Sequence, residues 1–317
     1  LVVALGAWLS VRCPSDTRAF RLLLPFALLV VGWPVGVWNL IRFDPDAPDT
    51  CPPDADAAVA RLEDGNRQFA RVLDHPAGAS AAQLVRFNAD ALGLPHPDGS
   101  PPKQKPFAAV LGCSDARAPI EMLFGQACND LFVVRVAGNV LGSECLGSLD
   151  FALTNLGERM RVVVVLGHSG CGAVSAAVDA FIHPSRYMQF LANHPLRAVL
   201  DRIFPAVRAA HWALEEVHGP GVGAARGYRA ALIETAIALN AALTASSLEH
   251  DFGPRLGGRR VVYGVYDLVS RRVKLPLEPG GQVSIRLAAP PADATAFDAL
   301  GVLLAGSGAV RETLAGG

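Results

Sequence analysis

The sequence predicts an α/β protein built around a parallel sheet, and three observations carry that prediction. Short apolar runs recur at 107–112, 131–136, 161–167 and 260–268. Stretches with helical spacing separate them at 143–156, 172–181, 196–218 and 228–248, the alternation expected of strands joined by crossover helices. Two clusters of metal-ligating side chains follow the first and third runs directly, and ligands of open α/β sheets sit just beyond the carboxyl ends of strands.

Composition is consistent with a large buried core. Apolar residues make up 51% of the 317 positions. The 28 basic and 29 acidic side chains leave a net charge of −1, so no basic excess points to nucleic acid. The six cysteines, Cys13, Cys51, Cys113, Cys128, Cys145 and Cys171, are scattered and do not form the spaced framework of a small disulfide-rich domain. No internal repeat or low-complexity tract is present.

The positive mean hydropathy is concentrated near the start of the sequence. The stretch LLLPFALLVVGWPVGVWNLI (22–41) is 20 residues long, uncharged, and bracketed by Arg21 and Arg42. It is long enough to cross a ~30 Å hydrocarbon core. Its prolines and glycines are tolerated in membrane helices, and Trp33 and Trp38 suit an interface. The reading is an uncleaved membrane helix; a signal or targeting peptide and a soluble helix are the alternatives. Arg12, Arg18 and Arg21 precede the span and acidic residues follow it, which puts the rest of the chain on the extracytoplasmic side. The soluble alternative is an exported or organelle-targeted protein.

The segments are then 1–43 as the apolar N-terminal part, 44–55 as a Pro/Asp linker, 56–274 as the main domain and 275–317 as a C-terminal extension. Asp56 can cap a helix reaching about residue 73, with Val59, Leu62, Phe69 and Val72 on its apolar stripe. Residues 74–105 hold a short helical stretch and a loop. The extension is less readable, with one further helix over 294–304.

Chemistry concentrates at Cys113-Ser114-Asp115-Ala116-Arg117 and His168-Ser169-Gly170-Cys171. Two thiolates and an imidazole suit zinc, and three protein ligands leave a fourth position open, the catalytic arrangement. A closed structural site with Asp115 as fourth ligand is the alternative. Asp115 and Arg117 stand two residues apart beside a ligand, so they can form an ion pair that keeps the carboxylate charged. A plain surface ion pair is the bland counterpart.

These motifs resemble the β-class carbonic anhydrases. The similarity extends to LEDGNRQF (62–69), Phe124-Gly125-Gln126, Asp130 to Arg135, Gly138-Asn139, Gly147-Ser148-Leu149, residues 163–174 and Tyr263 to Leu268, and covers about 56–274. The resemblance implies a four-stranded parallel sheet in the order 2-1-3-4 with an antiparallel edge strand, helices on both faces, and an N-terminal arm helix. It implies a dimer or a multiple of dimers, and a single zinc per subunit on Cys113, His168 and Cys171. The implied reaction is reversible hydration of CO₂ to bicarbonate and a proton by zinc-bound hydroxide, a zinc lyase activity. Asp115 and Arg117 then form the catalytic dyad. Gln104 reaches substrate across the dimer, Phe132 and Ala137 line a small apolar pocket, and the Gly172 amide lies near the substrate. Two departures stand out. Val136 follows Arg135 where the family usually has Asn, and Val110 stands where members with an inhibitory bicarbonate site carry Trp. Two other functions remain open: hydrolysis of carbonyl sulfide or carbon disulfide at the same site, and a non-catalytic zinc-holding module of a membrane protein.

Overall fold

The computed structural model describes residues 41–43, 50–74, 85–87, 89–92, 99–190, 194–275 and 286–316. Its central sheet contains β1 (Ala108–Gly112), β2 (Leu131–Arg135), β3 (Val162–His168), β4 (Arg260–Tyr266) and β5 (Val273–Lys274). The order is β2-β1-β3-β4-β5. The first four strands are parallel and β5 is antiparallel to β4. This is the expected 2-1-3-4 sheet with its antiparallel edge.

The strands are apolar at nearly every position because both faces of the sheet are covered. Ala109, Leu111, Val163, Val165, Val261 and Tyr263 belong to one buried cluster. Ala108, Val110, Val162, Val164, Leu166 and Val262 belong to the other. The period of two along each strand therefore separates two cores, not a core from solvent.

Besides two four-residue helices, Ala89–Leu92 and Ile120–Leu123, the helices among the described residues are α1 (Ala55–Asp74), α2 (Ser143–Asn155), α3 (Gly172–Ile182), α4 (His194–His218), α5 (Tyr228–Phe252), α6 (Ala294–Ala305) and α7 (Gly308–Leu314). The larger cluster takes side chains from α2 through α5, and from α6 and α7 through Leu300, Leu304, Ala305 and Val310. The segment after residue 274 therefore buries apolar side chains in the core of the main domain. Residue Ala288 also bridges to Tyr263 of β4, with backbone hydrogen bonds of 2.8 and 2.9 Å.

Helix α1 covers the smaller cluster with Ala58, Leu62 and Phe69. Its cap is Asp54, whose carboxylate accepts from the Ala57 N–H at 2.8 Å. The predicted cap, Asp56, instead bonds Arg260. Two aspartates two residues apart look alike as caps in sequence; the long-range arginine decides between them. Gly65 lets α1 approach the turn after residues 120–123. A Cβ there would lie 1.8 Å from the Phe124 carbonyl oxygen. Next to it, buried Asn66 donates to the carbonyls of Leu123 and Arg271 at 3.1 and 3.2 Å and accepts from the Val273 N–H at 2.8 Å. One amide thus ties α1 to β5 and to the turn following β1.

Of the apolar span 22–41, all but Ile41 lie outside the described residues. Ile41 opens a three-residue strand, Ile41–Phe43, paired in parallel with Val85–Phe87 in a separate small sheet, so the helix expected over 22–41 does not include its last residue. Among the described residues, one helical stretch, Tyr228–Leu256, is long and apolar enough to cross a membrane, and 78% of its apolar window is buried inside the fold. It is a core helix by its packing.

Replacing Asn66 by leucine keeps the volume but strands three buried backbone groups on two segments, each such loss costing roughly 1–3 kcal/mol. Urea unfolding of Asn66→Leu is expected to show a clearly lower midpoint with an unchanged slope. A midpoint equal to that of the parent chain would show that the amide contributes nothing to holding α1.

Candidate metal centre

Strands β1 and β3 lie side by side, with Gly112 opposite Leu166. Cys113 follows Gly112 directly, and His168 ends β3 two residues beyond Leu166. Cys171 then sits at the start of α3, reached through Gly170 with φ of +63°. The left-handed turn at Gly170 brings the chain back toward β1 within three residues.

The result is a cluster of three buried side chains. The ligand atoms of Cys113, His168 and Cys171 all lie within 4.8 Å of one another. That is near the span covered by two bonds of roughly 2.0–2.3 Å to a single zinc ion. The His168 Nδ1 is 3.0 Å from the Ser169 carbonyl, which can only accept. Nδ1 therefore carries the proton, and Nε2 keeps its lone pair. That Nε2 atom is buried and, among the described residues, has no hydrogen-bond partner. A buried imidazole nitrogen left unpaired beside two thiols is costly unless a cation takes its lone pair.

The sulfurs say the same. The hydrogen bond from Cys171 holds the Cys113 thiol well below the ordinary thiol range, and that same hydrogen bond pushes Cys171 up. Two thiols this close cannot both ionise unaided. A divalent cation removes the conflict, since two thiolates neutralise it. The donor set thus fits Zn²⁺.

Asp115 and Arg117 stand at the rim. The guanidinium donates from Nε to Oδ1 at 2.9 Å and from Nη2 to Oδ2 at 2.7 Å, and the Arg117 backbone N–H donates to Oδ1 at 2.9 Å. These bonds, led by the guanidinium, hold the Asp115 carboxyl well below the usual carboxylate range. Its Oδ2 lies 3.8 Å from His168 Nε2. The carboxylate is thus held next to the cluster, with both oxygens engaged by Arg117.

The remaining expected residues are more dispersed. Phe132, on β2, and Ala173, beside Gly172, pack against the larger cluster. Ala137 is half-buried in the turn after β2, Gly172 opens α3 at the surface, and Gln104 is exposed on the segment before β1. Within this one chain, Gln104 belongs to the approach to the sheet and not to the cysteine–histidine cluster.

Several supporting groups escaped the sequence reading. Arg135 at the end of β2 donates to the Cys113 carbonyl at 3.1 Å and the Asp115 carbonyl at 2.5 Å, bracing the loop that carries both. The Ser169 hydroxyl accepts from the Leu268 N–H at 2.9 Å, tying the loop between His168 and Cys171 to the chain after β4. The Gly138 N–H donates to Cys113 Sγ at 3.3 Å. Backbone donors have no sequence signal; Arg135 and Ser169 stood inside recognised segments without a role.

Comparison with known proteins agrees with the motifs. The family model described as "Carbonic anhydrase" matches residues 108–246. The chain is 36% identical over 159 residues to carbonic anhydrase 2 of Mycobacterium tuberculosis, covering 48% of this chain and 63% of that protein. It is 34% identical over 151 residues to the carbonic anhydrase of Mycolicibacterium smegmatis, covering 48% and 64%. The chain therefore spans just under two thirds of the length of these relatives. Among solved structures, the Coccomyxa β-carbonic anhydrase in complex with acetazolamide aligns with a TM-score of 0.43 at 21% identity, over 63% of this chain and 80% of that one.

With the metal removed, one thiolate should persist in the folded protein well below the ordinary thiol pKa of about 8.5, because Cys113 is lowered by Cys171. A lowered acid is ionised above its folded-state pKa, so thiolate ultraviolet absorbance should survive at neutral pH. It should vanish in Cys113→Ser. Absorbance that disappears as the pH drops below 8 would contradict the shared-proton geometry.

Proposed function

We propose that this chain, whose residues 108–246 match the carbonic anhydrase family, catalyses the reversible hydration of CO₂ to bicarbonate and a proton. The observation that carries the reading is the buried Nε2 of His168, unpartnered among the described residues and clustered with two cysteine sulfurs, with an aspartate held alongside by arginine. Cys113, His168 and Cys171 would hold Zn²⁺, which lowers the pKa of water and acts as a Lewis acid when bound.

The residues around it have separable tasks. Asp115 is an acceptor that stays ionised throughout the working pH range, since its pKa is depressed and it loses charge only in strong acid. It orients the attacking oxygen by accepting its hydrogen bond. Arg117 occupies the carboxylate and restrains it from swinging onto the cysteine–histidine cluster. Phe132 and Ala137 supply small apolar walls suited to an uncharged linear substrate. Gly172 opens α3, and amides at a helix N-terminus favour an anionic product such as bicarbonate.

The active unit is a dimer or a multiple of dimers, with Gln104 reaching the neighbouring subunit's substrate. Support comes from its exposure and from the edge strand β2, where Phe132, Val133 and Val134 are only half-buried. A half-covered apolar edge is a surface that folded proteins usually cover. The chain is further assigned to a membrane through residues 22–41, with the zinc domain on the extracytoplasmic side; support is the uncharged span of bilayer length between Arg21 and Arg42.

Asp115→Asn is expected to retain zinc and to lose roughly tenfold or more in kcat/KM, the equivalent of about 1.4 kcal/mol of barrier. Full activity in this variant, at every pH where the parent is active, would reduce the aspartate–arginine pair to a structural role. For the membrane assignment, cells expressing the full chain should yield it in the membrane fraction and release a version starting at Asp44. If both are recovered soluble and unprocessed, residues 22–41 are not an anchor.

A further inference from the structure

Helix α5 is almost wholly buried and almost wholly apolar around its centre, where Ala238, Leu239, Ala241 and Ala242 surround Asn240. Asn240 is 2% exposed. Burying an amide there costs free energy unless it is used. Its Nδ2 donates to the Gly138 carbonyl at 2.8 Å, across 102 residues of chain.

Gly138 lies in the turn after β2. It has φ of +67°, and Asn139 after it has φ of +45°, two successive left-handed residues. A Cβ on Gly138 would lie 2.8 Å from Ile203 Cδ1 and 3.2 Å from the Ala173 Cβ, so the turn is also pressed from α4 and α3. The Gly138 N–H is the group that points at Cys113 Sγ, at 3.3 Å. An N–H aimed at a thiolate stabilises its charge and fixes the direction in which its sulfur faces a metal.

From this chain of contacts we infer that Asn240 is a positioning residue for the metal centre: it pins the left-handed Gly138 turn from inside the core and thereby aims the Gly138 amide at the sulfur of Cys113. The inference rests on the zinc reading of the cluster. Without the Asn240 donor, the Gly138 carbonyl is left in an apolar environment, and the turn rotates to find another partner. The amide then leaves the sulfur. Outer contacts of this kind typically change metal affinity by about 10- to 100-fold.

The test uses the full chain loaded with Zn²⁺ or with Co²⁺. Asn240→Leu removes the donor and suits the apolar surroundings. Thr235→Val alters another buried polar residue of α5, whose hydroxyl bonds within the helix to the Ala231 carbonyl at 2.8 Å. Asn240→Leu should surrender zinc to a competing chelator about tenfold or more readily, and its cobalt form should show a displaced thiolate-to-metal absorption band. Thr235→Val should match the parent in both. A folded Asn240→Leu protein with parental zinc retention and an unmoved band would overturn the inference and leave Asn240 as a packing residue. If the leucine variant does not fold, Asn240→Asp, which keeps the volume, takes its place: faster zinc loss with a displaced band supports the inference, and parental values of both overturn it. A parent chain that shows no thiolate–cobalt band at all would overturn the metal centre itself, and the role of Asn240 with it.

Discussion

The site depends on the register of two adjacent parallel strands. Gly112 of β1 faces Leu166 of β3, so the two strands end at nearly the same level. Cys113 and His168 leave the sheet there together, although 55 residues apart in number. On the other side of β1, Gly112 faces Arg135, which puts the end of β2 beside the same loop. Because strand side chains alternate with a period of two, a slip of one residue would turn the whole of β1 over. Both faces of β1 are apolar, so the slip is opposed by close packing: the side chains of each core would have to fit the space of the other. The packing that stabilises the sheet is therefore also what assembles the cluster.

Around that meeting point the polar groups form a layered arrangement. Closest to solvent, Arg117 grips both oxygens of Asp115. Beside it, Arg135, itself exposed, holds the carbonyls of Cys113 and Asp115, so the loop cannot relax away from the strand end. Deeper, the Gly138 N–H and the Asn240 amide continue the network into the apolar core. Each layer restricts the one outside it. Two thiols and an imidazole crowded together are unfavourable on their own, and this bracing keeps them from separating.

Much of the fold was legible because its signals are local. Runs such as Val162 to Leu166 and the spacing of α3 and α5 specify element type without reference to anything distant. The two motifs declared themselves through rare residue types at strand ends. The antiparallel β5 and the strand order came from family resemblance; two residues, Val273 and Lys274, are too short a run to carry a periodic signal. What stayed hidden depends on partners far along the chain. The choice of Asp54 over Asp56 as cap turns on Arg260. Asn66 and Asn240 look like ordinary polar residues until their carbonyl partners, dozens to hundreds of residues away, are known. The contribution of α6 and α7 to the main core was hidden because short apolar helices do not reveal which surface they cover.

The central proposal is that Cys113, His168 and Cys171 would together hold zinc, and that the chain hydrates CO₂ at that site. The most direct measurement is zinc content together with stopped-flow CO₂ hydration, for the parent chain and for Cys171→Ser. An open site with three protein ligands cannot spare one, and a serine oxygen is a poor substitute for a thiolate. The parent should carry a single zinc per chain and be active, and Cys171→Ser should lose metal and hydration together. A Cys171→Ser protein that keeps its zinc and hydrates CO₂ at the parental rate would contradict this assignment.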